Sequence, residues 1–183
     1  MSNSTSLNSQ IKDIVLTTHA KAVEQMKPYM QEQANAIMNI ILDQMDGFLH
    51  VTGNTINSIG VGCYLDGKLM GIALSSQELN EPATRVTLIK WEEYNLDYYW
   101  GGSPVDKEKR YVAPTGTEHY FGKDKAVQFL QSKRPSTKGW SFIAVIAVDY
   151  AKYLEAKPKV NLITITHDQL ASMGANISVL IAE

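Results

Sequence analysis

A single cysteine, Cys63, stands among 183 residues. No disulfide can form within the chain, and a structural zinc site would have to rest on four scattered histidines, His19, His50, His119 and His167. The lone thiol fits a reducing compartment such as the cytosol. An excess of one charge is also missing. Seventeen Lys and Arg oppose nineteen Asp and Glu, so the chain as a whole lacks a nucleic-acid footprint. No apolar run approaches the roughly 20 residues of a membrane span; the longest, from Phe142 to Val148, reads as a buried strand. The N-terminal Met1-Ser2-Asn3-Ser4-Thr5-Ser6 is polar, with no basic stretch leading into an apolar one, so a secretory signal is not expected.

Motifs that carry chemistry are absent as well. Glu118-His119 has no second ligand pair at helical spacing. Gly101-Gly102-Ser103 lacks the spacing and the lysine of a phosphate loop. Glu92 and Glu93 are adjacent and point apart in a helix or a strand, a poor geometry for paired acid–base work. Cys63 shares the inward positions of a strand with Val61 and Leu65 and reads as a buried structural thiol. We therefore expect no catalytic residue, no cofactor and no metal, and no enzyme.

What is present is an ordinary globular composition, 44% hydrophobic and 20% charged, at a length that suits one domain over 1–183. Residues 1–8 are Ser/Asn-rich and are expected to be disordered. Two helical patterns flank Lys27-Pro28, one from Ser9 to Met26 and a stronger one through Met30, Ala34, Ile37, Met38, Ile41, Leu42 and Met45. Pro28 either opens the second helix or sits in one kinked helix, and Gly47 reads as its C-cap. From Ser58 to Leu65, Ile59, Val61, Cys63 and Leu65 alternate with smaller or polar residues, the period of a half-buried strand. Asp66-Gly67 predicts a tight hairpin, with Lys68–Leu74 returning. Arg85–Trp91 fits a strand or a helix start. Gly122–Ser132 reads as a short helix, and Trp140–Val148 as a central strand with apolar residues on both faces. Tyr150–Glu155 reads as a helical turn and Val160–Ile165 as a strand. Thr166 opens a last helix burying Leu170, Met173, Ile177 and Leu180. The order of elements predicts an α+β fold: a mainly antiparallel sheet with a long N-terminal helix and a C-terminal helix packed on it.

Two short segments, Thr52-Gly53-Asn54 with Ser58-Ile59, and Tyr150-Ala151 with Tyr153-Leu154-Glu155, stand in the order and setting of a known pattern. In that pattern a helix leads to a Thr-Gly-Asn-like turn and a hairpin, and a later strand leads to Tyr-Ala-x-Tyr-x-Glu and a closing helix. Over roughly 27–75 and 122–182 the chain resembles the tail-completion, or head–tail connector, proteins of tailed bacteriophages, in the versions carried by phages of gut anaerobes. Ala156-Lys157-Pro158 departs from the Gly-Thr pair many members place after the Glu. The resemblance implies a virion protein of the neck, made in the host cytoplasm. It implies partners that are copies of itself in a ring, the portal and other neck or tail proteins, with DNA only as passing cargo and no membrane. The motif positions Thr52, Gly53, Asn54, Ser58, Tyr150, Tyr153 and Glu155 carry plain structural jobs: turn geometry, capping and packing on a sheet edge.

The remaining feature is the segment 76–121, read as an aromatic-rich insertion. Residues 91–121 hold half of the chain's 16 aromatics. Trp91, Tyr94, Tyr98, Tyr99 and Trp100 are the candidate assembly interface, because Tyr and Trp offer large contact areas with a polar handle. Packing of the insertion on the domain, or a stacking platform for glycans in a ligand-binding module, are the alternatives. Residues 106–159 carry eleven Lys and Arg against six Asp and Glu, leaving the remainder at a local −7, a division that suits head-to-tail contact between copies.

Overall fold

Ile59, Val61 and Cys63 alternate along the chain with Gly60, Gly62 and Tyr64, and the two sets fall on opposite faces of one strand. The computed structural model describes residues 3–44, 49–50, 54–75, 85–95, 97–98, 110–113, 116–120, 122–148 and 177–181. Its elements are α1 (Asn3–Asp43), β1 (Leu49–His50), a 3₁₀ turn (Ile56–Ser58), β2 (Ile59–Leu65), β3 (Lys68–Leu74), β4 (Arg85–Leu88), β5 (Glu93–Asn95), β6 (Asp97–Tyr98), β7 (Arg110–Val112), β8 (Thr117–Tyr120), α2 (Lys123–Ser132), β9 (Trp140–Ile146) and β10 (Ile177–Ile181). Four strands form the main sheet, in the order β10-β9-β2-β3; β2 pairs antiparallel with both neighbours and β10 runs parallel to β9. Three antiparallel pairs, β1–β6, β4–β8 and β5–β7, stand as separate two-stranded units.

The fold is α+β, with a helix against each face of the main sheet. On one face Met30, Ala34, Ile37, Met38, Ile41 and Leu42 of α1 pack on Ile59, Val61, Cys63, Ala73, Ala144 and Ile146. On the other, Ala126 and Leu130 of α2 pack on Tyr64, Leu74, Ile143 and Val145. Each fully buried Leu, Ile or Met contributes about 1.5–3 kcal/mol from the area it removes from water. Gly60 and Gly62 leave the α2 face of β2 open, and Leu130 fills it. The Tyr64 ring folds back over Gly62, where a Cβ would come within 2.8 Å of it, and the Tyr64 hydroxyl donates to the Leu130 carbonyl at 2.6 Å.

The hairpin forms as the Asp-Gly signal predicts. Asp66 and Gly67 take φ of 49° and 78°, the left-handed pair that matches the twist of the flanking strands. The turn is clasped to the start of β9: Gly139 N–H donates to Asp66 Oδ1 at 2.8 Å, and Asp66 N–H to the Gly139 carbonyl at 3.0 Å.

Of the two readings at Pro28, the structure takes the single helix, with Pro28 inside it on an exposed position. Proline removes one backbone bond, to the Glu24 carbonyl, which water can satisfy there. Two expectations are corrected. Residues 3–8, expected to be disordered, lie within α1. Of the two readings for Arg85–Trp91, the strand is found, over Arg85–Leu88. Ile177 and Leu180, assigned to a closing helix, lie in β10, in register with Phe142 and Val145 of β9. The run Ile177-Ser178-Val179-Leu180-Ile181 is rich in β-branched residues, and β9, apolar on both faces, takes a strand on each side. The rest of the predicted C-terminal helix, the turn at Tyr150–Glu155, the strand at Val160–Ile165 and the Gly47 cap lie outside the described residues.

Burial pushes the Cys63 thiol up from 9.0 to about 11. The Tyr64 hydroxyl rises from 10.0 to about 12, through burial first, with Cys63 adding and Arg134 opposing. Below pH 9 both groups are protonated folded and unfolded. Between about pH 9 and 12 the unfolded chain ionises first, so stability falls as pH rises. Urea unfolding at pH 8, 10 and 11 is expected to show that decline, and Tyr64→Phe to flatten its upper part while costing about 1 kcal/mol at pH 8 for the lost hydrogen bond.

Candidate functional site

Ser, Thr and Asn side chains compete for backbone groups near turns, and the chain concentrates them at 54–58. The result is a buried polar knot beside the 3₁₀ turn. Asn54, Thr55, Asn57 and Ser58 are all at least nine-tenths buried. Ser58 Oγ and Ser58 N–H both donate to the Thr55 carbonyl, at 2.7 and 3.1 Å. Asn54 Oδ1 accepts from Gly122 N–H at 3.1 Å, just ahead of α2. The Ser58 carbonyl accepts from Ala147 N–H at 3.1 Å, at the end of β9. The Ser75 hydroxyl, after β3, donates to the Ile56 carbonyl and lies 3.1 Å from that of Ile59. Gly122 sits so close that a Cβ there would overlap the Ser58 side chain and the Ala147 carbonyl oxygen. Asn57 Oδ1 is buried with no hydrogen-bond partner among the described residues.

The knot locates two of the seven motif positions, Asn54 and Ser58, and gives both structural work: they tie the β2 entry to α2 and β9. Thr52, Gly53, Tyr150, Tyr153 and Glu155 lie outside the described residues. Sequence reasoning missed Ser75, Gly122 and Ala147 as partners, since no local pattern links them to residues 54–58.

Two of the aromatic candidates, Trp91 and Tyr94, belong to the β5–β7 unit and the turn before it. Trp91 N–H donates to the Ala113 carbonyl at 2.8 Å and Ala113 N–H to the Glu92 carbonyl at 3.2 Å, closing the turn that precedes β5. The Tyr94 hydroxyl accepts from Ile89 N–H at 2.8 Å and donates to Glu92 Oε2 at 3.1 Å. Trp91 holds φ of +69°, which a bulky residue rarely adopts, and its side chain is 67% exposed. Lys90 Nζ lies 5.3 Å from the Trp91 ring centroid. Ile89 and Val112, in the same unit, are also exposed. Tyr98 lies in β6, whereas Tyr99 and Trp100 are outside the described residues.

A hollow of about 270 Å³ opens beside α1, with Glu24, Lys27, Cys63 and Met70 in its lining. A thiol raised to about 11 is protonated at neutral pH and a poor nucleophile. Among the described residues no three His, Cys, Asp or Glu come together as they would around a metal ion. No described helix is long and apolar enough to cross a membrane.

No family model, curated protein or solved structure matches the chain.

The knot sets its own tests. Asn54→Ala leaves the Gly122 amide buried without its acceptor and is expected to cost about 1–3 kcal/mol. Gly122→Ala is expected to cost about 3 kcal/mol, the upper part of the range for overpacked cores. Shifts of the urea midpoint measure both.

Proposed function

We propose that the chain is a structural component of a tailed-phage neck, a ring of identical copies joining portal and tail around a channel for DNA. It would act by fitting surfaces together, with no bond made or broken. The observation that carries the reading is the Trp91 unit. An exposed tryptophan at a strained backbone position in the turn before β5, with Ile89 of the same turn and Val112 of β7 also exposed, presents apolar area to solvent on a hydrogen-bonded frame. Such area suits a protein contact. The order of the Thr52–Ile59 and Tyr150–Glu155 segments supports the neck assignment, and the division of charge between 106–159 and the rest supports head-to-tail contacts. The near-neutral chain fits a channel that lets DNA pass, because dense Lys and Arg contacts to phosphate would hold it.

The second reading is a ligand-binding module that stacks sugar rings on the same exposed Trp91. Mass spectrometry of gradient-purified tailed particles from the source lysate separates the two. The neck reading expects the chain in particles at a fixed multiple of the portal, with Trp91→Ala lowering its incorporation. Absence from particles, together with glycan-array binding that Trp91→Ala abolishes, would replace the neck reading with the ligand-binding one.

A further inference from the structure

The first two-thirds of α1 has no core of its own. Met30 is the first fully buried residue of the described helix; between Leu7 and Tyr29 every side chain is exposed except Val23 and Lys27, which are half-buried. At about 1.5 Å per residue, the stretch from Asn3 to Tyr29 is an arm about 40 Å long. Leu7, Ile11, Ile14, Val15, Met26 and Tyr29 are all exposed on it, Ile14 by 65% and Val15 by 60%. At about 100° per residue these six gather into one stripe, centred roughly 110° from the face that Met30, Ala34, Ile37 and Ile41 turn to the sheet; Leu16, also exposed, lies off it. The protein's own sheet leaves the stripe uncovered.

We propose that the occupant of this stripe is the same stripe on a second copy of the chain. Three observations favour a copy over other partners. The arm from Asn3 to Tyr29 carries three lysines (Lys12, Lys21, Lys27) against two acids (Asp13, Glu24), so two copies repel little, and no large excess of positive charge calls for phosphate or an anionic membrane. Half the circumference of such a helix over this length presents about 600 Å² per copy, and a pair buries about 1,200 Å², the lower bound of a stable specific interface. The arm also has little to hold it helical alone. Its first turn carries no acid, and Lys27–Glu24 at 3.6 Å is its one ion pair among the described residues. An uncovered helix of this kind is marginal in water, and packing of an apolar face is what stabilises it. A contact of one patch with itself is two-fold and self-complementary. It is distinct from the Trp91 contact and stands without the neck reading, which is judged by particle composition.

The test is the mass of the full chain in solution by sedimentation, for the native protein and for Ile11→Glu/Val15→Glu. Both positions are exposed, so the core is left intact, and an unchanged urea midpoint of the sheet verifies this. The native chain is expected at twice the 20.4 kDa of one copy, or a higher multiple, and the double variant at 20.4 kDa with reduced helical circular dichroism. A native chain that stays at 20.4 kDa at every concentration overturns the proposal, as does a variant that keeps the native mass.

Discussion

Seven residues of β2 lie opposite seven of β9, from Ile59 against Ile146 to Leu65 against Trp140. This ladder is the constraint on which the described body rests. It brings together segments some eighty residues apart in sequence, so closing it costs chain entropy that local contacts do not repay. Two apolar faces offset that cost. A slip of one residue would carry Val61 and Cys63 to the α2 side and set Gly60 and Gly62 against α1, emptying both cores together. Register, helix placement and core composition are thus one choice.

The knot at 54–58 then locks what the ladder aligns. Hydrogen bonds from Gly122, Ala147 and Ser75 converge on a stretch of five residues, and each comes from a different part of the chain. Their net value in water is modest, but a buried group that loses its partner costs more than the bond contributed. Polar residues at such a place specify one arrangement more than they add stability.

Much of the body was legible because its signals were local. Alternation marked β2, Asp66-Gly67 marked the hairpin, and apolar residues on both faces marked β9 as central. The misreadings have physical causes. Ile177 and Leu180 satisfy a helical spacing with Leu170 and Met173 and also belong to a β-branched run; the choice was made by β9, which takes a neighbour on each side. At Pro28 the sequence left two readings open, and the single helix holds because the lost bond falls on the exposed side of α1. Of the candidate sites, Asn54 and Ser58 could be named as motif positions, but their partners are set by tertiary closure, as Gly122 lies 68 residues from Asn54. The positive φ of Trp91 left no trace in the sequence, because that backbone state is normally signalled by Gly or Asn.

Cys63 has a practical side. It is 2% exposed beneath α1, and it is the only sulfhydryl in the chain. Alkylating reagents require an accessible thiolate, so the native protein is in effect blank to maleimide dyes and spin labels. A surface residue exchanged for cysteine would take up the probe alone, and distances between labelled copies can be measured without first deleting the natural residue.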